Sequence, residues 1–436
     1  MELSETNAVP QTKENNVTRF QYFIVVSCAL CMVVDGFDVQ SMSYAAPALM
    51  KVWGIDRSIL GPVLSAGLFG MLVGSALLAG VADRVGRRPT LIVALTWVAV
   101  SMAVTPLALS IGQLVALRFV TGLGMGVVIP NAFALAGEYS PRRVRTLLVM
   151  VVASGYTVGG VVGGAVAALV IGPFGWASVF YSGAALTGSL ALLTLLFVPE
   201  SLQFCLLRRP DNRKTVDRIR KFGLEEDLNQ SEQASRKDNS LKVVFGHGRF
   251  GATAVLWIAS FCNMVSAYFL ASWIPVLMSG SGYSAHAAIL AGMALWGGGI
   301  FGNFILGYLI DRTRYGRVMF ATFIVGAIAI AGLACFTHSP LLAFPLILVA
   351  GFVVMGGQSG FYAISVLFYP TRGRSTGAGL VSGVGRIGGV LGPILGGKLM
   401  ALSWASDQIV LVSALPLLVT AVAIAVFASL ASRTSD

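Results

Sequence analysis

Apolar runs of about 20 residues follow one another along almost the whole chain, with short polar or basic stretches between them. That is the length a helix needs to cross a hydrocarbon core of ~30 Å. Twelve spans are predicted, at 20–48, 59–82, 90–109, 112–137, 146–170, 175–198, 250–278, 286–310, 318–337, 341–367, 377–402 and 407–431. The chain therefore reads as an all-α integral membrane protein. A polar tail (1–19) leads into a six-helix bundle (20–198), a linker (199–249), a second six-helix bundle (250–431) and a short tail (432–436).

Composition strengthens this reading. Of 436 residues 56% are hydrophobic and only 11% are charged, too few to cover a soluble protein, and the 51 glycines suit close helix packing in lipid. The net charge of +11 is no nucleic-acid signal, because Lys and Arg sit mainly in short loops between apolar runs. Arg84, Arg87 and Arg88 follow span 2, and Arg142, Arg143 and Arg145 follow span 4. Arg312, Arg314 and Arg317 follow span 8, and Arg372 and Arg374 follow span 10. The alternate loops are nearly free of such residues, apart from Lys51 and Arg57, so both termini are predicted to be cytoplasmic. The linker holds eleven Lys/Arg and eight Asp/Glu with no membrane-length run, and reads as a solvated connector. Residues 1–18 are polar and do not resemble a secretory signal.

The two halves are related. Gly80-Val-Ala-Asp83-Arg84-Val-Gly86-Arg87-Arg88 recurs loosely from Gly307 through Asp311 and Arg312 to Arg317. Pro141-Arg-Arg143-Val-Arg145-Thr146 matches Pro370-Thr-Arg372-Gly-Arg374-Ser375, and at that same offset of 229 residues Gly159, Gly160 and Gly163 fall on Gly388, Gly389 and Gly392. Two parallel repeats around a midplane cavity are a recurring transporter plan.

Candidate chemistry lies where charge interrupts the apolar runs. Asp35 and Asp38 stand three residues apart deep in span 1, on one helix face. A carboxylate there costs a few kcal/mol and normally lines a pathway or has a partner. Counting 1.5 Å per residue puts Asp35 about 22 Å up and Arg118, in the descending span 4, roughly 9 Å below the outer edge, at nearly one depth. Arg118 is therefore expected to pair with Asp35 or Asp38, in a proton-coupling group that protonation would break. A merely structural pair is the alternative. Arg386 in span 11 lies roughly 15 Å into the membrane, where a guanidinium can grip a carboxylate in bidentate fashion or serve helix packing. At the repeat offset Arg118 falls on Ile347 and Arg386 on Thr157, so neither function is duplicated.

Asp83, Arg84, Arg87, Arg88, Glu138, Arg143, Asp311, Arg312 and Arg374 form a candidate cytoplasmic gate, and the same arginines also set topology. Tyr268, Trp273, Trp296, Phe301, Phe361 and Tyr362 supply a candidate ring-binding wall, with Asn131, Asn263, Asn303 and Gln358 for hydrogen bonding. Each aromatic taken alone is more often packing. Cys28 and Cys31 read as packing inside a helix, and His247, His286 and His338 fall in the linker and at predicted external edges. No residues have metal-ligand spacing, no nucleophile–base pairing is legible, and no cofactor is expected; an enzyme is the least supported class.

Gly80 through Arg88 resembles the G-x-x-x-D-R-x-G-R-R loop signature of the major facilitator superfamily, and Arg118-Phe-Val-Thr-Gly122-Leu-Gly124 resembles a second signature of it. Asp35-Gly36-Phe37-Asp38, Pro130-Asn131 with Glu138-Tyr139-Ser140-Pro141-Arg142-Arg143, and Tyr369 through Arg374 with Gly385-Arg386-Ile387-Gly388 together resemble its aromatic acid:proton symporter family, over essentially the whole chain. The resemblance implies twelve transmembrane helices in two pseudo-symmetric bundles, alternating access, and uptake of acids such as 4-hydroxybenzoate, protocatechuate or benzoate. It implies that Asp35, Asp38, Arg118, Glu138, Arg374 and Arg386 are functionally important. Gly159-Gly160 stands where many antiporters have Gly-Pro, which favours symport, although Gly392-Pro393 occurs in span 11.

The expected partners are a small aromatic carboxylate, protons and the lipid bilayer of a bacterial inner membrane, with no nucleic acid and a monomeric state. Competing expectations are proton-driven efflux of drugs or organic anions, symport of a non-aromatic carboxylate (muconate, quinate or shikimate), and a sensor that binds without flux.

Overall fold

In lipid every backbone polar group must find its partner within the protein, and a long apolar segment does so by forming a helix. The computed structural model describes residues 17–208, 244–246, 249–370 and 373–433. The tail before residue 17, most of the linker with His247, Arg372, and the side chains of Arg142, Asp311 and Arg374 lie outside the described residues. Among the described residues, twelve helices are long and apolar enough to cross a membrane. They are α1 (Arg19–Trp53), α2 (Arg57–Leu77), α3 (Arg87–Leu107), α4 (Ile111–Tyr139), α5 (Arg145–Phe174) and α6 (Ala177–Phe197), then α7 (Phe250–Gly280), α8 (Ala285–Ile310), α9 (Tyr315–Cys335), α10 (Pro340–Phe368), α11 (Thr376–Ala401) and α12 (Ser406–Ala431).

Local chemistry sets several ends. Thr18 and Gln21 close a capping box at the start of α1, and Gly54 ends it at φ 62°. Ser110 and Ser284 cap α4 and α8 by accepting from the third backbone N–H. The helices run within a few residues of the predicted spans, except that α1 continues through Pro47 to Trp53. The predicted connector is not unstructured throughout: Leu202–Arg208 is helical.

Packing repeats with the sequence. In the first half α1 packs on α5, α2 on α4 and α3 on α6; in the second α7 packs on α11, α8 on α10 and α9 on α12. Glycine makes these contacts close. A side chain at Gly36 would strike the Tyr156 carbonyl of α5, and one at Gly298 would strike the Leu348 carbonyl of α10.

The halves meet through α1 with α7, α2 with α11 and α5 with α8. Most of this junction lies toward the α1–α2 loop, where Gly61 of α2 abuts Gly397 of α11 and Arg57 abuts Gly280. Pro275 has no N–H, so the Ala271 carbonyl, four residues earlier in α7, lacks its helical donor. Donors from α1 fill the gap. Gln40 Nε2 donates to the Ala271 carbonyl at 2.8 Å, and Ser43 Oγ lies 2.9 Å from the same oxygen and 2.7 Å from that of Ser272. The protein is thus closed on the α1–α2 loop side.

Candidate functional site

A cavity of about 220 Å³ lies between the halves, on the other side of this junction. Its first-half wall is mostly apolar: Met32, Leu68, Met71, Ile129, Phe133 and Ala153, with Asp35, Tyr156 and Thr157 as the polar members. The second half supplies Asn303, Gln358, Ser359, Ser382 and Arg386 beside Met264, Ala267, Tyr268, Val354 and Met355.

Asp35 and Asp38 divide here. Arg118 Nη1 donates to Asp38 Oδ1 at 2.8 Å, while its Nη2 reaches Oδ2 at 3.1 Å and the Asp38 carbonyl at 3.0 Å. Both side chains of this pair are almost wholly buried, and the guanidinium lies 5.7 Å from the Phe180 ring centroid. A fork of two donors on one carboxylate holds the buried charges together. Asp35 faces the cavity instead, and neither of its buried carboxylate oxygens has a hydrogen-bond partner. Arg386 is half-buried on the opposite wall, and its one described hydrogen bond runs to Ser75 Oγ of α2, long at 3.4 Å. The cavity therefore holds an unpaired carboxylate and a weakly engaged guanidinium.

Tyr156 of α5 and Tyr268 of α7 share a hydroxyl–hydroxyl hydrogen bond of 2.8 Å across the halves. Tyr156 also stands edge-on to Trp296, with centroids 5.4 Å apart. Ser359 donates to Asn303 Oδ1 at 2.8 Å, and Gln358 Oε1 is buried without a partner.

The structure relocates several expected substrate contacts. Tyr362 is 55% exposed on the outer surface of the bundle and does not line the cavity. Phe361 is fully buried and stacks on Phe323, and Trp296 packs behind Tyr156 and against Gly160. Asn131 donates to the Val127 carbonyl and Asn263 to that of Val354, and neither lines the cavity, although Asn263 Oδ1 is buried without a partner behind its wall. Trp273 donates to the Pro393 carbonyl, and Phe301 is exposed. Of the expected substrate residues, Arg386 and Gln358 reach the cavity, joined by Asn303 and Tyr268 from the wider aromatic and amide set. Sequence reasoning missed Tyr156, Ser359 and Ser382, and met Thr157 only as the repeat counterpart of Arg386.

The basic loop builds a separate cluster at the chain-terminus side. Arg87 forms an ion pair with Glu138, whose other oxygen accepts from Ser201 Oγ at 2.7 Å. Glu200, which no sequence argument singled out, accepts from the backbone N–H groups of Arg87 and Arg88 at 2.8 and 3.0 Å. It thereby caps α3 with a negative charge. Gly86 turns at φ 110° against this carboxylate. Arg88 donates to the Leu195 carbonyl at 2.6 Å, and Arg208 to that of Arg84 at 3.0 Å. These contacts join the first half to the start of the linker and do not bridge to the second half. Asp83, Arg84 and Arg143 are exposed, and Arg312 sits over the Tyr308 ring at 4.4 Å.

Among the described residues no group of His, Cys, Asp and Glu could hold a metal ion. The sequence profile of the Major Facilitator Superfamily matches residues 28–393, with a second match over 256–435. The chain belongs to the major facilitator superfamily. Among superfamily members, the 4-hydroxybenzoate transporter PcaK of Acinetobacter baylyi is 33% identical over 94% of this chain and 91% of its own length. PcaK of Pseudomonas putida is 36% identical over 90% and 89%. The benzoate transport protein of A. baylyi is 29% identical over 91% and 87%. The chain thus falls among the aromatic-acid transporters of the superfamily. The xylose transporter XylE of E. coli, in a partially occluded inward open conformation, superposes with a TM-score of 0.73 over 92% of this chain and 98% of that one. At 17% identity this likeness concerns the fold alone.

Proposed function

We propose that this protein is a proton-coupled importer of a small aromatic carboxylate, such as 4-hydroxybenzoate, protocatechuate or benzoate, working by alternating access in a bacterial inner membrane. The observation that carries the reading is the pairing, within one cavity, of an unpartnered buried carboxylate (Asp35) with a guanidinium left nearly free (Arg386). A carboxylic acid and a proton together satisfy both. The size of the cavity supports a single-ring cargo: about 220 Å³ falls below the ~300–1,000 Å³ common for drug-sized ligands. The names of the relatives given above support the acid class.

In this reading both termini and the Arg87–Glu138–Glu200 cluster are cytoplasmic, and the described state is closed to the outside. In the outward-open state Asp35 takes up a proton and the substrate carboxylate binds Arg386. Asp38 stays ionised against Arg118 and serves as a fixed joint rather than as the carrier. With the carboxylate of Asp35 neutralised, the halves rock and close the outer side. Loss of the proton to the less acidic cytoplasm restores a negative charge beside the bound acid, which weakens its hold and releases it. The transport unit is a monomer and no cofactor takes part.

The test is uptake of labelled 4-hydroxybenzoate into proteoliposomes with acid outside, for the unaltered protein and Asp35→Asn. Accumulation driven by the pH gradient and lost in Asp35→Asn is the expected result. Gradient-driven accumulation retained in Asp35→Asn would refute the assignment of the proton to Asp35. Substrate leaving against the proton flow would favour efflux.

A further inference from the structure

Two polar groups lining the cavity are orphaned acceptors: the Asp35 carboxylate and the Gln358 amide oxygen. The first is accounted for by a proton. The second has no role in holding the fold, since no hydrogen bond ties that oxygen to α8, α11 or its own helix. A buried polar atom without a partner calls for a specific explanation, and at a cavity wall the simplest is a ligand. The repeat sharpens the point. Gln358 less the offset of 229 is Ile129, which lines the first-half wall, so an amide stands where the other repeat has an apolar side chain.

The neighbours make this a small polar subsite. Ser359 donates to Asn303 Oδ1, which fixes the Asn303 amide with its N–H groups as the remaining polar edge. The Asn303, Gln358 and Ser359 side chains come from α8 and α10, whereas Arg386 comes from α11. A phenolic hydroxyl is both donor and acceptor, so it satisfies the Gln358 amide in either of its two orientations.

We propose that Gln358, supported by Asn303 and Ser359, reads a ring hydroxyl, making the site selective for hydroxylated over unsubstituted benzoates. This rests on the aromatic-acid reading above and adds the substituent that reading leaves open. A site built to hydrogen-bond a hydroxyl rejects the analogue lacking it, because the site's own polar group then stays buried and unpaired.

The experiment measures binding of benzoate, 3-hydroxybenzoate, 4-hydroxybenzoate and 3,4-dihydroxybenzoate to the purified full-length protein by titration calorimetry. It is run for the unaltered chain and for Gln358→Met, which keeps size and removes the amide. The unaltered protein should favour at least one hydroxylated acid over benzoate by about tenfold or more. In Gln358→Met that ratio should fall to about one to threefold. A ratio within twofold of unity in the unaltered protein overturns the proposal, whatever the variant does. So does a preference that survives Gln358→Met unchanged. Failure of the unaltered protein to bind any of the four acids overturns the aromatic-acid reading and this proposal with it, whereas binding without hydroxyl preference overturns this proposal alone.

Discussion

Removing the donors that α1 lends to α7 should release the closure on the α1–α2 loop side. The double change Gln40→Leu with Ser43→Ala deletes both side chains that satisfy the carbonyl freed by Pro275. Ser43 has one proton for its two close oxygens, so two hydrogen bonds are lost rather than three. Each is worth about 0.5–1.5 kcal/mol, which gives about 1–3 kcal/mol in all. With that side closed, the variant leaves the Ala271 carbonyl buried and unpaired; with it open, water reaches that oxygen and nothing is lost. The whole difference therefore falls on the conformational equilibrium and shifts it toward the state open on the α1–α2 loop side by about 5- to 150-fold. Spin labels on cysteines at Val52 and His286, both exposed on that side, report the change as a distance distribution once the native cysteines are replaced. A longer-distance population should grow at the expense of the short one. An unchanged distribution would show that the α1–α7 donors do not hold the closure.

Three further outcomes follow from the packing and charge network. Asp38→Asn leaves Arg118 buried without its counter-charge, so it should cost about 3–5 kcal/mol and lower the melting temperature in detergent, whereas Asp38→Leu with Arg118→Met should recover much of the loss. Gly36→Ala drives a methyl into the Tyr156 carbonyl and should cost about 1–3 kcal/mol, read as a lower melting temperature with α1 and α5 forced apart. Glu200→Gln keeps an acceptor for the two backbone donors but removes its charge, so it should weaken the start of α3 by about 0.3–1 kcal/mol, seen as faster amide exchange at Arg87 and Arg88.

Helix number and ends were legible in the sequence because an apolar run of membrane length admits one structure. The charges were legible for a related reason: Asp35, Arg118 and Arg386 are too costly in an apolar span to lack a purpose. Which carboxylate meets Arg118 was not legible, since a residue count gives depth along a helix but not the facing of each side chain. Tyr362 shows the same limit. A helix apolar on every side carries no signal that separates its lipid face from its cavity face. Thr157 and Ser382 escaped notice because hydroxyl side chains are common in membrane helices, where Thr157, for one, simply donates to the Ser154 carbonyl a turn earlier. Glu200 was hidden by its position just past α6, where an acidic residue looks like the start of a solvated linker.

The unequal walls of the cavity carry a consequence for how such a protein diversifies. Three pairs of equivalent positions in the two repeats line the same cavity: Ala153 and Ser382, Ile129 and Gln358, Thr157 and Arg386. At these three pairs the more polar member belongs to the second half, while the carboxylate at Asp35 has the apolar Met264 as its repeat counterpart in the lining. In the reading proposed above, energy source and cargo reader reside on separate gene segments. A hybrid joining this first half to another member's second half would inherit its driving ion from one parent and its menu from the other. On that reading new diets would arise by exchanging one half of the coding sequence, with the engine left as it was.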